Sequence, residues 1–296
     1  MEKRAARMLY FEPNFMDEAL VLLDRFGGEA RVLAGGTRLG PRLRHDRAGV
    51  AALINLKRVD EMQGITRSAN VLRIGALVTA AELSAHPEVR ACAPVLASAA
   101  QSLGARQLRN VATLGGNVCS GDPVSDLTAA LLACDARCEI ATLHEGPSQT
   151  VLEHVVEKPT PVLEAGELLI AVEIPLQPDA DARASYQKMM TRRSFELALV
   201  AVAVMLHLRE GNVTQARIAL AGAGRAPLRA REAERSIAGK KLTAETIAAA
   251  ARQAAQADAQ PHDDHRASAR YRRNLVEVLT GRALHGAAGA RGDGKT

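Results

Sequence analysis

The hydrophobic pattern divides the chain into short elements. Leu9 to Pro13 reads as extended. Asp17 to Phe26 predicts a helix, with acids in its first turn and Gly27-Gly28 as its stop. Arg31 to Ala34 predicts a short strand, Val50 to Leu56 is a second apolar segment, and Val71 to Ile74 predicts another strand released by Gly75. Thr79-Ala80-Ala81-Glu82 fits a capping box, so a helix should begin there. Pro94 to Leu103 predicts a helix of small residues, suited to close packing. Asp122 to Asp126 should cap a further helix running to about Cys134. Arg137 to Thr142 and Leu168 to Ile174 read as strands, the second closed by Pro175, and Pro175 to Ala184 reads as a linker.

Beyond the linker the period changes. Ala198, Val200, Val202, Val204, Leu206 and Leu208 share one parity, although their neighbours are also partly apolar. That is a strand, followed by the hairpin signal Glu210-Gly211-Asn212 and a second strand, Val213 to Ala221. Helices are expected over Arg229 to Ile237, Thr243 to Ala257 and Asp264 to Leu284, and the last eleven residues should be disordered. The fold class is α+β, with an N-terminal region of about 177 residues and a C-terminal sheet with helices on one face.

Composition narrows the functions. The chain has 296 residues, enough for two or three domains. Aromatics supply only 2% and there is no Trp, so the core must be built from Ala, Leu and Val. The net charge of +5 comes from scattered basic residues rather than a stripe interleaved with aromatics, which argues against a nucleic-acid surface. It fits a solvated face or a docking surface for acidic partner subunits. Cys92, Cys119, Cys134 and Cys138 form no Cys-x-x-Cys pair, so free thiols in a reducing compartment are expected rather than a metal or iron–sulfur site. No apolar run approaches the roughly 18 residues of a membrane span, and the N-terminus does not look like a signal peptide. A soluble, cytoplasmic protein is expected.

Two glycine pairs carry the candidate chemistry. They lie about eighty residues apart, in Leu33-Ala34-Gly35-Gly36-Thr37-Arg38-Leu39-Gly40 and Thr113-Leu114-Gly115-Gly116-Asn117. Each follows an apolar stretch, where glycines let the backbone turn sharply and bring successive N–H groups close to an anion. Two such loops converging can hold the two phosphates of a dinucleotide, whereas a glycine pair alone is usually a simple turn. Other signals are weaker. Gly222-Ala223-Gly224-Arg225-Ala226-Pro227 begins like a Rossmann fingerprint but has Pro at the third glycine, which favours a tight turn. His262-Asp263-Asp264-His265 has metal-capable side chains but precedes a helix, where polar caps are expected.

The segment Arg109 to Asn117, with Asp126 nine residues further in Pro123-Val124-Ser125-Asp126, resembles the FAD-binding subunit of the molybdenum hydroxylases, the family of carbon monoxide dehydrogenase and xanthine dehydrogenase. Leu33 to Gly40 looks like the family's other flavin loop. Tyr186 to Arg192 resembles a third family segment, and Tyr271-Arg272-Arg273-Asn274-Leu275 resembles its C-terminal helix. The likeness spans about residues 8 to 285.

This resemblance implies a two-lobed FAD-binding domain of the PCMH type (vanillyl-alcohol-oxidase-like) over residues 1–177, with lobes of about 1–57 and 58–177. A C-terminal domain, 178–285, would follow, a three-stranded antiparallel sheet against a helical bundle, and 286–296 would be a tail. It implies non-covalent FAD, its pyrophosphate held by amides of Ala34 to Arg38 with the Thr37 hydroxyl, flanked by Leu33 and Leu39. Thr113, Gly115, Gly116 and Asn117 would cradle the other side. Asp126 would accept hydrogen bonds from FAD hydroxyls or simply cap its helix. Ile170 would pack on the flavin or in the core. Lys188 and Tyr186 would lie near the ring, with no certain catalytic residue and no metal ligand in this chain. Leu103 stands where one family branch has a shielding aromatic, and Asn117 to Thr142 is too compact for the cysteine-rich insertion of another.

The resemblance further implies a large molybdopterin-binding subunit that acts on the substrate and a small subunit with two [2Fe–2S] clusters. Electrons would pass singly to this FAD and on to a terminal acceptor, in an (αβγ)2 heterohexamer. The alternatives are a stand-alone FAD-dependent oxidoreductase of the same fold, a scaffold subunit without flavin, and a nucleotide-binding regulator.

Overall fold

A computed structural model describes residues 8–46, 48–157, 162–176, 181–191 and 197–289. The first layer is a small parallel sheet. Strand β1 (Leu9–Phe11) leads to helix α1 (Met16–Phe26), strand β2 (Ala30–Leu33), helix α2 (Leu39–His45) and strand β3 (Ala52–Asn55), with sheet order β1-β3-β2. β3 takes the centre because Ala52-Leu53-Ile54-Asn55 is buried along its whole length. Helix α1 sets Ala19, Leu20 and Leu23 into the core, the spacing of one helical face.

The second sheet is antiparallel and five-stranded. It contains β4 (Ile65–Arg67), β5 (Val71–Gly75), β6 (Arg137–Thr142), β7 (Gly146–Val151) and β8 (Leu168–Pro175), in the order β4-β5-β8-β6-β7. Between β5 and β6 run six helices: α3 (Ala80–Ala85), α4 (Pro87–Cys92), α5 (Pro94–Ser102), α6 (Arg106–Arg109), α7 (Leu114–Cys119) and α8 (Asp126–Ala133). A short α9 (Leu152–Val156) follows β7. The expected capping box is present: Thr79 Oγ1 accepts the Glu82 amide at 3.2 Å, and Glu82 accepts the Thr79 amide at 2.7 Å. Helix α8 is buried at all eight positions, so it is an internal element without a solvent face.

The third sheet has four antiparallel strands, β9 (Asp181–Met189), β10 (Val200–Arg209), β11 (Asn212–Ala221) and β12 (Leu228–Arg229), ordered β12-β11-β10-β9. Helices α10 (Arg231–Ile237), α11 (Ala244–Gln253) and α12 (Ala269–Gly289) follow. Val200, Val202, Val204, Leu206 and Leu208 join those helices in one core. Ala201, of the opposite parity, packs with Val124, Ala129, Ala198 and Ala221 in a second cluster against α8. Both faces of the sheet are therefore covered, which corrects the expectation of helices on one face and explains the apolar residues of both parities in β10.

Other differences have local causes. The sheet carries a fourth strand because Leu228 and Leu220, and Arg229 and Ala219, pair across a tight turn that follows Gly222 at φ 72°. β9 begins at Asp181, inside the expected linker, because it pairs with β10 from Leu208 to Val200 despite its polar composition; positions 177–180 of that linker lie outside the described residues. β7 is largely exposed, so no apolar alternation announces it. Helix α12 starts at Ala269, since Asp264 accepts the amides of Arg266 and Ala267 in the turn before it. It runs to Gly289, into the expected tail; 290–296 lie outside the described residues. Among the described residues no helix is long and apolar enough to cross a membrane.

Candidate functional site

The first glycine pair sits where β2 ends. Gly36 has φ 71°, a conformation that residues with a Cβ rarely adopt. A Cβ on Gly35 would lie 1.9 Å from the Val111 carbonyl oxygen, so the backbone here touches the segment leading to the second glycine pair. Gly40 donates its amide to the Gly36 carbonyl at 2.8 Å, closing the turn into α2. Among the described residues, no acceptor takes the successive amides of Gly35, Gly36, Thr37 and Arg38. Four consecutive free donors beside a left-handed glycine suit a phosphate-sized anion.

The second pair is built differently from the amide-presenting loop expected for it. Thr113 is the N-cap of α7, and Gly115 and Gly116 lie in that helix's first turn. Its amides are already used: Leu114 donates to Val78 O at 2.9 Å, Gly115 to Ala76 O at 2.8 Å, Gly116 to Thr113 Oγ1 at 3.2 Å and Asn117 to Thr113 O at 3.0 Å. Gly115 is buried, and a Cβ there would lie 2.8 Å from that of Ala76, so the position has no room for a side chain. Gly116 is exposed, and its missing side chain leaves the surface open to close approach. This side of the site can therefore offer shape and the Asn117 side chain, but not a row of free amides. An Arg38–Asp122 ion pair at 2.7 Å adds a second tie between the two segments.

Asp126, Tyr186 and Lys188 converge from different layers. Asp126 is the first residue of α8, while the N-cap is Ser125, whose hydroxyl accepts the Thr128 amide at 3.3 Å. The cap reading of Asp126 is thus replaced by Ser125. Tyr186 and Lys188 are two apart on β9 and reach the same carboxylate, Tyr186 donating to Oδ1 at 2.5 Å and Lys188 to Oδ2 at 2.7 Å. The Lys188 and Asp126 side chains are only 5% and 7% exposed, so the charges are compensated inside the protein. Burial pushes the Asp126 carboxyl up against the opposing pull of Lys188, and burial with the neighbouring carboxylate pushes the Tyr186 hydroxyl well up. Lys188 also faces the Ser102 carbonyl at 3.4 Å. The Ser125 hydroxyl donates to Asn117 Oδ1, which joins this cluster to the second glycine segment.

The other expected residues distribute plainly. Leu33, Ala34, Thr37 and Leu39 are half-buried around the first turn. Ile170 is 3% exposed and belongs to the core beneath β5 and β8, its carbonyl accepting the Ala76 amide at 3.0 Å. Asp122, Ser125 and Ser102 went unassigned in the sequence; the Asp122-Pro123 turn signalled a helix start, but its tie to Arg38 is a long-range contact without a local pattern. Asp264, in the His-Asp-Asp-His segment, is taken by Arg272 at 2.7 Å. Among the described residues no group of three or more His, Cys, Asp or Glu is placed to hold a metal. An open groove of about 510 Å³ lined by Phe11, Glu12, Asp17 and Leu22, among others, includes none of the site residues.

Residues 4–177 match the family of the FAD binding domain in molybdopterin dehydrogenase, and residues 184–287 match the CO dehydrogenase flavoprotein C-terminal domain. The chain belongs to this family of FAD-binding medium subunits of carbon monoxide and xanthine dehydrogenase-like molybdenum hydroxylases. It is 31% identical to the carbon monoxide dehydrogenase medium chain of Hydrogenophaga pseudoflava, covering 95% of this chain and 97% of that one. The glyceraldehyde dehydrogenase medium chain of Sulfolobus acidocaldarius is 29% identical, over 93% and 96%. Among solved structures, carbon monoxide dehydrogenase from Hydrogenophaga pseudoflava, in a form lacking the Mo-pyranopterin moiety, superposes with a TM-score of 0.89 at 31% identity over 95% and 97% of the two chains. Quinoline 2-oxidoreductase from Pseudomonas putida superposes with a TM-score of 0.86 at 29% identity over the same shares. The chain is thus an oxidoreductase subunit whose cofactor is FAD.

Proposed function

We propose that this chain holds FAD non-covalently beside the first glycine turn and serves as the electron-transfer subunit of a molybdenum hydroxylase. The observation that carries the reading is the run of four free amides from Gly35 to Arg38, packed directly against Val111 at the entry to the second segment. Those amides and Thr37 would hold the pyrophosphate; Gly116 and Asn117 would border it from α7. Tyr186 and Lys188 would approach the ring side, held by Asp126. FAD, when bound, supplies exchange of one or two electrons, and the chain's own groups fix its position and electrostatic surroundings. Because Lys188 is already paired with Asp126, its charge would act on the flavin as half of a dipole rather than as a lone cation.

In this reading the FAD-binding part is residues 1–177, in lobes of about 1–57 and 58–177, and the C-terminal domain is 178–285. The partners are a large molybdopterin subunit and a small [2Fe–2S] subunit in an (αβγ)2 assembly in the cytoplasm, passing electrons through this chain to a terminal acceptor. The test is direct. The purified chain should carry, or be reconstituted to, a flavin spectrum with FAD released on denaturation, and should co-purify with molybdenum- and iron-containing subunits. A chain that takes up no FAD refutes the cofactor assignment; a flavoprotein that oxidises substrate without such partners refutes the subunit role.

A further inference from the structure

Helix α8 carries one carboxylate at each end, and charged groups of the C-terminal sheet hold both. At its N-terminal end Asp126 is bound by Tyr186 and Lys188 of β9. Just past its C-terminal end Asp135 stands at φ 51°, a left-handed position that stops the helix and turns the side chain back. The Asp135 carboxylate accepts a hydrogen bond from Arg229 of β12 at 2.5 Å and is ion-paired with Arg217 of β11. Arg229 also donates to the Leu132 carbonyl at 3.3 Å, so its cation covers the helix C-terminus, where the dipole favours it. The two guanidiniums are 4% and 7% exposed. Glu234 of α10 braces Arg229 through two bonds of 2.6 and 2.9 Å.

Between its ends α8 is held by apolar packing: Ala129 meets Ala201 and Ala221, while Leu127, Leu131 and Leu132 lie in the main core. Apolar contact is non-directional: it keeps the helix in the core without by itself setting where the two terminal carboxylates point. The directional, charge-assisted bonds are at the two ends. We infer that α8 is a strut whose far end, the Asp135–Arg217–Arg229 latch, fixes the axial position of Asp126, Ser125 and, through Ser125, Asn117. Asp135, Arg217 and Arg229 are then positioning residues for the cofactor site, acting over nine residues of chain, about 13 Å along a helix. This rests on the FAD reading above.

The test uses the full chain. Asp135→Asn keeps the backbone, since Asn tolerates the left-handed conformation, and removes only the charge. Glu153→Gln, which breaks a half-exposed pair with Arg231, is the control. FAD affinity by fluorescence titration, the visible flavin spectrum and the flavin midpoint potential are measured, together with hydrogen exchange of α8 in the FAD-free chain. The inference expects Asp135→Asn to weaken FAD about tenfold or more, to shift spectrum and potential, and to speed exchange at Leu127 to Ala130, with Glu153→Gln unchanged. Affinity within twofold of wild type with an unaltered spectrum overturns it, even if thermal stability falls, because the latch would then only stabilise. Should Asp135→Asn not fold, Arg217→Lys retains the charge with poorer geometry, and the same readouts decide. If the wild-type chain takes up no FAD, the cofactor assignment fails separately; exchange at α8 unchanged by Asp135→Asn then refutes the strut itself.

Discussion

Gly35→Ala tests the site's geometry most sharply. A methyl there would lie 1.9 Å from the Val111 carbonyl oxygen and 2.8 Å from its carbon, and ordinary contact begins near 3.4 Å. The obstacle is backbone, which no rotamer change can move aside. One segment must retreat by about 1.5 Å, carrying the free amides of Gly36 to Arg38 or the Thr113 cap with it. Overpacking of this kind costs roughly 1–3 kcal/mol, and a clash against main chain belongs at the upper end. If that cost falls on the bound geometry, about 3 kcal/mol is a loss of roughly two orders of magnitude in FAD affinity. Fluorescence titration of the purified variant measures it, with thermal unfolding of the FAD-free chain run in parallel. An affinity within threefold of wild type, at unchanged stability, would refute the claim that this contact shapes the site.

Gly36→Val should also abolish flavin retention, because a branched side chain at φ 71° is strained; absorbance after gel filtration reads it. Thr113→Ala should cost about 1 kcal/mol of stability by removing the α7 cap, as read by denaturant unfolding. Burial raises Asp264, but the Ala267 amide, Arg272 and the Arg266 amide outweigh it and hold the carboxyl well below the usual range. A depressed carboxylate stabilises the fold above its unfolded pKa and loses that contribution as pH falls. The stability gap between wild type and Asp264→Asn should thus be full at neutral pH and shrink as pH drops below about 4; parallel urea melts across pH would show it. Burial pushes the thiols of Cys134 and Cys138 up to about 12, so native alkylation near pH 8 should leave both unlabelled while denatured protein is labelled at all four cysteines, as mass spectrometry can read.

Local signals carried much of this fold. The Thr79 capping box, the strand over Arg137 to Thr142 and the hairpin at Gly211 each rest on chemistry within a few residues, and each stands in the structure. Elements without an apolar alternation of their own were not legible. β7 and the start of β9 are polar or half-exposed and exist because β6 and β10 pair with them. The site divides along the same line. Gly36 could be read from its neighbours, because left-handed turns have a residue preference. The burial of Ser125, Asp126, Lys188 and Tyr186 in one cluster could not, since Asp126 and Tyr186 stand 60 residues apart. The second glycine pair looked like the first in sequence, yet Gly115 is required by packing on Ala76 and Gly116 by its closeness to the Thr113 cap.

The doubly covered third sheet bears on modularity. The face that meets α8 is lined by alanines, and its bordering cations have their counter-charges on the other side of the boundary. A polypeptide cut between β8 and β9 would therefore yield two incomplete pieces, one with acids stripped of cations and one with a greasy, positively charged flank. Such fragments should recombine with each other or aggregate, so recombining halves from distant relatives should succeed only when both members of each ion pair travel together.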